Sequence, residues 1–247
     1  MNDHASLQPA FPRFLPSGDA ALSVELGGEV DRAVSVRVVR LHRHLREAPL
    51  EGVLETLPTF RSLLVQYDPR RTDPAALQDA LAALIRDMDE APLPCRQWTI
   101  PVCYAPEVAP DIAEVAGLCG MSEAQVAECH ASALYYVYML GFLPGYAYMG
   151  DVPEPLRLHR RMEPRTRVPA GSLAIATSFV SIYPFESPGG WHIIGRSPLS
   201  FFDAGADDPA ILAPGDEVRL EPIPLGRFEA LKGVRAFPAR KANGAGS

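Results

Sequence analysis

Residues 164–203 read PRTRVPAGSLAIATSFVSIYPFESPGGWHIIGRSPLSFFD. Short apolar runs in this stretch alternate with turns that contain Gly or Pro, a pattern typical of short strands joined by tight turns. The runs LYYVYMLGFLPGYAYMG before it and LAPGDEVRLEPI after it continue the pattern, and the latter predicts a last strand over residues 217–223. Many short strands separated by such turns indicate a small β-barrel. We therefore predict that a β-barrel forms the second part of the chain.

The same stretch is rich in groups that bind anions. It contains Arg165, Arg167 and Arg196, and the turns VPAGS and SPGGW can expose backbone N–H groups. Guanidinium forks beside free amides suit carboxylates and phosphates. However, any tight turn requires Gly or Pro, and arginine on a strand often forms a solvated face. The residue chemistry alone leaves both an anion site and a plain surface open.

The first part of the chain has a different pattern, in which strands and helices alternate. Strand pairs are predicted within residues 11–27 and 53–68, and helices within residues 31–48 and 73–90, which begin behind Asp31 and Asp73. The order is therefore β-β-α-β-β-α. Such a unit is an α+β domain with its helices on one face of an antiparallel sheet. Nothing in it resembles a reactive constellation.

A proline-rich segment separates these two parts. APLPCRQW, residues 91–98, has the composition of a connection between domains. We predict an α+β domain over residues 1–92 and a β-barrel domain over residues 93–240. The last residues, KANGAGS at 241–247, are predicted to be a tail.

The charge and composition exclude several classes of function. A net charge of −7 argues against binding to nucleic acid or anionic membranes, since both require a basic face. The chain contains no apolar run long enough to span a bilayer. Its start, MNDHASLQPAF, lacks the basic and apolar regions of a secretion signal, so we expect a cytoplasmic protein.

The lysines and cysteines exclude further chemistry. Only Lys232 and Lys241 are lysines among the 23 basic residues. A P-loop or a Schiff-base site over the first 231 residues is therefore excluded, because each requires a lysine. The cysteine spacing matches neither a CxxC pair nor a zinc knuckle, so we expect reduced, mostly buried thiols and no metal site.

Two features allow both a structural and a functional interpretation. Residues 110–131 predict two helices, of which the second begins with a capping box at Ser122 and ends near His130. A histidine there can interact favourably with the helix dipole or act as an acid or base. The aromatic residues of 134–150 can line a pocket, but an aromatic-rich strand favours a core.

Four motifs, in this order, carry a resemblance to a known family. They are GFLPGYAYMG (141–150), PRTRVPAGS (164–172), IYPFESPGGW (182–191) and GRSPLSFFD (195–203). The chain resembles the carboxyltransferase-like family that contains the B subunit of bacterial 5-oxoprolinase, the Kip-type sporulation kinase inhibitor and the protein labelled allophanate hydrolase subunit 1. The resemblance extends to GDAALSVELG and LPTFRSLLVQYDP in the first domain, and so covers nearly the whole chain.

The resemblance implies a DCoH-like N-terminal domain followed by a cyclophilin-like β-barrel. It also implies a subunit of an ATP-dependent complex that hydrolyses 5-oxo-L-proline to L-glutamate together with sister subunits C and A. A lactam carbonyl is a poor electrophile, so phosphorylation of its oxygen would give water a reactive imidate to attack. We expect this chain to be inactive alone, with ATP used by the complex and no metal or biotin on this chain.

The matching positions give candidate site residues. Arg165 and Arg196 are implied as anion clamps, amides around Gly171 and Gly189-Gly190 as donors to an oxyanion or phosphate, and His130 as the acid or base. The candidate substrate-binding residues are Pro144, Gly145, Pro169, Gly171, Ser172, Tyr183, Ser187, Gly189, Gly190 and Trp191.

One segment departs from the family pattern, and two other functions stay open. Before IYP, relatives commonly show a Gly-Gly-x-Gln-Thr-Gly-like run, whereas this chain has Ala176–Ser181, which predicts a different lactam or amide, or lost activity. A Kip-type regulatory protein that inhibits a kinase is one alternative. A component of a urea or allophanate carboxyl-transfer system is the other, and it would need a biotin carrier that this chain lacks.

Overall fold

The computed structural model describes residues 10–234 and 240–241. The chain divides into two compact units, Met1–Leu93 and Pro94–Ser247, and the division falls within APLPCRQW. Of the predicted tail, residues 242–247 lie outside the described residues, whereas the backbone of Lys241 pairs with that of Arg96.

The N-terminal unit contains four strands and two helices within its described residues. They are β1 (Arg13–Pro16), β2 (Ala21–Glu25), α1 (Arg32–Glu47), β3 (Val53–Pro58), β4 (Ser62–Tyr67) and α2 (Pro74–Asp87). The strands form an antiparallel sheet in the order β1-β2-β4-β3. The predicted β-β-α-β-β-α order is confirmed.

Local chemistry explains where these helices begin and which face of the sheet they cover. The side chains of Asp31 and Asp73 accept hydrogen bonds from backbone N–H groups of the first turns of α1 and α2. Alternate residues of the strands, such as Val24 and Val65, are buried against helical residues such as Leu41. The helices therefore pack on one face of the sheet.

The C-terminal unit is built mainly from short strands. Its described elements are β5 (Arg96–Val102), α3 (Ile112–Cys119), α4 (Glu123–Ser132), β6 (Leu134–Leu140), β7 (Ala147–Gly150), β8 (Arg165–Val168), β9 (Ser172–Ala176), β10 (Phe179–Ile182), β11 (Ser187–Gly189), β12 (His192–Arg196), β13 (Glu217–Pro222), α5 (Leu225–Ala230) and β14 (Arg240–Lys241). The capping box predicted at Ser122 begins α4, as expected. The strand predicted over 217–223 is not the last one, because β14 follows it.

The main sheet of this unit curls into a barrel. Within the described residues it has eight strands in the order β12-β9-β10-β7-β6-β13-β5-β14. Cys103, just after β5, exchanges two backbone hydrogen bonds of 2.8 and 2.9 Å with Arg196 at the end of β12. This bridge joins the two sides of the curled sheet, and the predicted α+β fold with a β-barrel is confirmed.

On one side of the barrel, β9 and β12 present one face to the interior and the other to a second, smaller core. Leu173 and Ile175 of β9 point into the barrel, whereas Ala174 and Ala176 lie in a cluster with Trp191. β8 and β11 form a separate two-stranded sheet that contributes Val168 to this outer cluster. The segment 164–203 therefore builds both the barrel wall and the layer outside it.

Burial tests two of the sequence predictions, one on the aromatic residues of 134–150 and one on the cysteines. Of the aromatic residues in 134–150, Tyr135, Tyr136, Tyr138 and Tyr146 are buried, as expected for a core, whereas Tyr148 is partly exposed and Phe142 is largely exposed. The cysteines form no disulfide, but the expectation that most are buried is wrong, because only Cys103 is buried and the other three are partly exposed. No helix in the described part of the chain has the length and apolarity needed to cross a membrane.

Candidate functional site

Arg196 lies against the turn that joins β8 to β9. Its backbone is opposite Ser172 in the sheet, and its Nε donates a 2.8 Å hydrogen bond to the carbonyl of Ala170. Gly171 has a φ of +80°, and a Cβ added there would lie 2.3 Å from the carbonyl oxygen of Ser197. The turn therefore requires glycine, and no side chain separates it from Arg196.

A cavity of about 240 Å³ opens beside this turn. Its lining consists of Ala170, Gly171, Pro184, Arg196, Ser197, Pro198, Leu199, Ser200, Phe228, Lys232 and Gly233. Arg196 and Lys232 both lie on the buried ring of Phe228, with Cζ and Nζ at 5.9 and 5.3 Å from its centroid. Two cations on one aromatic ring give this cavity a positively charged lining.

The electrostatics of the cavity are set by burial and by one carboxylate. Partial burial lowers the pKa of Arg196, and the charge of Glu229 opposes that shift. The Glu229 carboxylate is 2.5 Å from Nζ of Lys232. Lys232 was not among the predicted site residues. The signal that could have identified it is that it is one of only two lysines in a chain whose other basic residues are arginines.

The backbone amides of the turn are already used within the fold. The N–H of Gly171 donates to the carbonyl of Tyr183 at 2.7 Å, and the N–H of Ser172 donates to that of Pro169 at 3.2 Å. These two amide hydrogens are therefore not free to bind an anion, which departs from the expected use of the Gly171 turn. The positively charged groups in the cavity lining are the side chains of Arg196 and Lys232.

Arg165 is engaged elsewhere, in a buried ion pair. Its guanidinium donates to both carboxylate oxygens of Asp111, at 2.8 Å for Nη1, and Asp111 is only 2% exposed. Asp111 also accepts from Arg161 and from the backbone N–H of Ile193. The carboxylate therefore joins the start of α3 to β8 and β12, and the charge of Arg165 is balanced inside the protein.

Arg167 has a third environment. It pairs with Glu186 through two hydrogen bonds of 2.9 and 3.1 Å on the surface. Neither residue lines the cavity beside Arg196.

His130 lies in the core rather than in the cavity. Its Nδ1 shares a 2.9 Å hydrogen bond with the hydroxyl of Tyr104, and the hydroxyl of Tyr135 donates to its backbone carbonyl. Its Nε2 has no hydrogen-bond partner among the described residues. Complete burial lowers the pKa of His130 to about 3, so the ring is neutral near pH 7. It is not among the residues that line the cavity.

Several other predicted residues meet in one aromatic cluster around Tyr146. The ring of Tyr146 contacts those of Tyr183 and Trp191, at centroid distances of 5.1 and 6.3 Å. A Cβ at Gly189 would lie 2.3 Å from the hydroxyl of Tyr183, and one at Gly145, where φ is +77°, would lie 3.0 Å from Phe202. These glycines allow close packing of the aromatic rings.

Pro169, Ser187, Gly190 and Pro144 lie at the edges of these structures. Pro169 accepts the Ser172 amide, Ser187 Oγ donates to the adjacent carbonyl at 3.3 Å, and the Gly190 carbonyl accepts from Arg161. Pro144 is exposed in the loop that follows Phe142.

That loop passes beside the partly exposed Phe202, because a Cβ at Gly145 would lie 3.0 Å from its side chain. We define the aromatic patch as Phe142, Pro144, Phe185 and Phe202. Phe142 is 61% exposed and has a φ of +69°, a conformation that a bulky residue rarely adopts. Phe185 is 40% exposed and contacts Phe202 at a centroid distance of 5.5 Å.

The segment that departs from the family pattern lies outside this site. Ala176 and Phe179 pair across a two-residue turn between β9 and β10, in which Thr177 has a φ of +53°. No residue of Ala176–Ser181 lines the cavity beside Arg196.

A larger groove lies in the N-terminal unit. It has a volume of about 730 Å³ between α1 and the end of α2, and arginines line much of it. One of them, Arg40, is buried and donates to Asp89 and to the carbonyl of Ala91. No group of His, Cys, Asp and Glu side chains suited to a metal ion occurs in the described part of the chain.

Comparison with known proteins identifies relatives. A family model described as carboxyltransferase domain, subdomain C and D, matches residues 12–212. The B subunit of 5-oxoprolinase from Escherichia coli O157:H7 is 41% identical over 208 residues, which are 83% of this chain and 93% of that protein.

Solved structures share the fold. The TTHA0988 crystal structure has a TM-score of 0.74 at 36% identity over 82% of this chain, and this chain spans 40% of the length of TTHA0988. The K. lactis urea amidolyase structure, at 21% identity, has a TM-score of 0.73 over 93% of this chain and 16% of that chain. The extent of the family match and the identity to the E. coli protein agree with the four ordered motifs. The chain belongs to the family of the carboxyltransferase domain, subdomain C and D, which includes the 5-oxoprolinase B subunit.

Proposed function

We propose that this chain is the B subunit of an ATP-dependent 5-oxoprolinase, which hydrolyses 5-oxo-L-proline to L-glutamate and acts only together with sister subunits A and C. The observation that carries the proposal is the 41% identity to a 5-oxoprolinase B subunit along 93% of that protein. The use of ATP and the four cysteines that form no disulfide favour the cytoplasm.

The cavity beside Arg196 supports a role in holding the substrate. 5-Oxoproline carries one carboxylate next to its lactam, and a guanidinium with unused donors matches a carboxylate. The Nη groups of Arg196 donate to no acceptor that the described residues provide, because only Nε is engaged. We assign Arg196 the contact with the substrate carboxylate or with the transferred phosphate.

The other two predicted catalytic residues take positioning roles in this proposal. The Arg165–Asp111 pair holds β8 against β12, the strand that ends at Arg196. His130 packs against Tyr104 and Tyr135 at the end of α4. Neither group contacts the cavity, so their effect on the reaction passes through other residues.

We assign the nucleotide to a sister subunit. The one described lysine side chain, Lys232, follows the short helix α5 rather than a glycine-rich phosphate loop. The role of this chain is then to bind and orient the lactam rather than to deliver the phosphoryl group.

The aromatic patch supports a docking surface for a sister subunit. Two exposed phenylalanines in one patch are costly to leave in water, and the positive φ of Phe142 is the kind of backbone strain that accompanies functional surfaces. TTHA0988, of which this chain spans 40%, carries much additional sequence on the same polypeptide. We propose that the additional part contains the counterpart of the sister subunit and that this partner covers the patch.

Reconstitution tests the function. The chain is mixed with its sister subunits, and glutamate formation from 5-oxo-L-proline is followed with and without ATP. We expect turnover only in the complete, ATP-containing mixture, and a loss of about 100-fold or more with Arg196→Ala. Arg219→Ala, which changes an exposed arginine of β13, should keep full activity. A complete mixture that forms no glutamate contradicts the proposal.

A carboxyl-transfer function is the second candidate, and the urea amidolyase likeness favours it. Two urea amidolyases also match 84% of this chain, at 23% and 25% identity. In that case the chain should form a complex with a biotin-carrying partner, and carboxylated biotin rather than ATP alone should support turnover. The Kip-type alternative predicts that the chain binds a histidine kinase. This can be tested directly by a binding measurement with the purified chain.

A further inference from the structure

We infer that the cavity beside Arg196 binds a small oxyanion, either a carboxylate or inorganic phosphate, and that Lys232 is its second cationic ligand. The inference rests on the proposed function only for naming 5-oxo-L-proline as the carboxylate. The binding itself requires neither ATP nor a sister subunit.

The charge balance of the cavity favours an anion. Arg196 and Lys232 contribute two positive charges. Glu229, which contacts Lys232, contributes one negative charge, so one positive charge is left unbalanced. The Nη groups of Arg196 find no acceptor in the described part of the chain, and its guanidinium is partly removed from water. Partly buried donors without partners are stabilised by an acceptor that carries charge.

The walls of the cavity strengthen such an interaction. Pro184, Pro198 and Leu199 give it apolar sides, and Phe228 forms a buried floor beneath both cations. Apolar walls reduce the local dielectric screening, so a charge pair there is stronger than on an open surface. Gly171 adds no side chain, and the amides around it are already paired, so the ligand meets the two cations directly.

The size of the cavity limits the ligand. Its volume of about 240 Å³ is below the ~300–1,000 Å³ of pockets that hold drug-sized molecules. A single five-membered lactam carboxylate or one phosphate is of the right scale, whereas a complete nucleotide is not.

Substitution of Glu229 tests the inference by the direction in which the anion affinity changes. Because its carboxylate competes with a ligand for Lys232, removal of its charge should strengthen anion binding. A site that merely holds α5 in place would show no such gain.

The experiment uses the purified chain at low ionic strength in a buffer without phosphate. Inorganic phosphate and 5-oxo-L-proline are titrated separately by calorimetry, and the Arg196 Nε–H signal is followed by NMR. Pyrrolidin-2-one, the same lactam without the carboxylate, is the third ligand. We expect saturable binding of at least one anion, with movement of the Arg196 signal, and no binding of pyrrolidin-2-one. Binding of phosphate alone points to a transferred phosphoryl group, and binding of 5-oxo-L-proline alone points to the substrate carboxylate.

The variants identify the ligands. Arg196→Gln and Lys232→Gln should each weaken binding about tenfold or more, and Glu229→Gln should strengthen it about threefold. Arg219→Gln makes the same charge change at an exposed site and should leave the anion affinity unchanged, because salt screens distant exposed charges. Because Lys232 is half exposed, its substitution does not threaten the fold.

Two results would overturn the inference: no saturable binding of either anion, or binding that Arg196→Gln and Lys232→Gln leave unchanged. Either result can occur in a chain that supports glutamate formation with its sister subunits, and would then leave the proposed function intact. Anion binding by a chain whose complete complex forms no glutamate would instead contradict only the proposed function.

Discussion

At the residue scale, the three arginines of segment 164–203 have three different environments. Arg165 is paired with a buried carboxylate, Arg167 lies on the surface, and Arg196 lines a cavity with unused donors. The cost of removing a charged group depends on the partner that is left behind rather than on the residue type. The same substitution should therefore have different effects at these positions.

Replacement of Arg165 should reduce stability, because it leaves the Asp111 carboxylate with Arg161 and one amide as partners. We expect Arg165→Gln to lower the free energy of unfolding by about 2 kcal/mol in urea denaturation. Arg167→Gln breaks an ion pair whose arginine is 77% exposed, so it should change the free energy of unfolding by less than about 0.5 kcal/mol. Equal effects would show that the Arg165–Asp111 pair is not a structural contact.

His130 should make the protein less stable in acid. Its pKa falls from an ordinary 6.5 to about 3 in the folded state, so below pH 6.5 the unfolded chain binds a proton that the folded chain does not. Stability therefore falls as the pH drops, and the His130 contribution between pH 8 and pH 5 is about 2 kcal/mol.

His130→Gln should flatten this acid dependence, which urea unfolding at pH 8 and pH 5 measures. His42, whose pKa burial lowers to about 4, should act in the same direction, although its ring is only partly buried. A His130→Gln variant that keeps the full difference between the two pH values would contradict the assignment.

At the element scale, the turn before β9 positions the cavity. Its backbone hydrogen bonds connect it to Tyr183 and Ser197, on segments that leave β10 and β12. Arg196 is at once the last residue of β12 and the partner of Cys103 in the bridge that joins the curled sheet. The element that completes the barrel therefore also carries the cavity's guanidinium.

A side chain at Gly171 should disturb this arrangement. Its φ of +80° and the 2.3 Å approach of a Cβ to the Ser197 carbonyl both act against Gly171→Ala, and we expect a loss of at least about 2 kcal/mol in the free energy of unfolding. Gly117→Ala in α3, where no atom outside the helix's own backbone and the adjacent residues lies within 4 Å of an added Cβ, should instead stabilise the protein by up to ~1 kcal/mol. A neutral Gly171→Ala would mean that the turn can rearrange.

At the scale of the whole molecule, the C-terminal unit carries apolar side chains that the described residues leave exposed. The aromatic patch comes from three separate loops, after β6, after β10 and after β12. Apolar side chains that converge from distant parts of the sequence indicate a surface shaped for a partner.

Loss of the patch should weaken the proposed association with a sister subunit. We expect Phe142→Ser to reduce the affinity about tenfold or more in sedimentation or surface-binding measurements. Leu118→Ser changes a residue of equal exposure, 61%, on α3 and should leave the affinity unchanged. If both variants bind like the original chain, the partner docks elsewhere.

The sequence by itself determined the elements of this protein. The caps at Asp31, Asp73 and Ser122 and the alternation of apolar residues in the strands act through neighbours close along the chain. The order of elements in the N-terminal unit and the two helices before β6 could therefore be predicted. The four ordered motifs likewise identified the family, because their letters are read directly. The turn that contains Gly171 was also recognisable from the sequence VPAGS.

Only the tertiary structure decided what these residues do. It places Lys232, which no sequence motif assigned to the site, in the same cavity lining as Arg196. It pairs Arg165 with Asp111, and it buries His130 away from the cavity. It also used the Gly171 amide as a donor to Tyr183. The physical reason is that charge pairing and burial depend on groups that are distant in the sequence and meet only when the barrel closes.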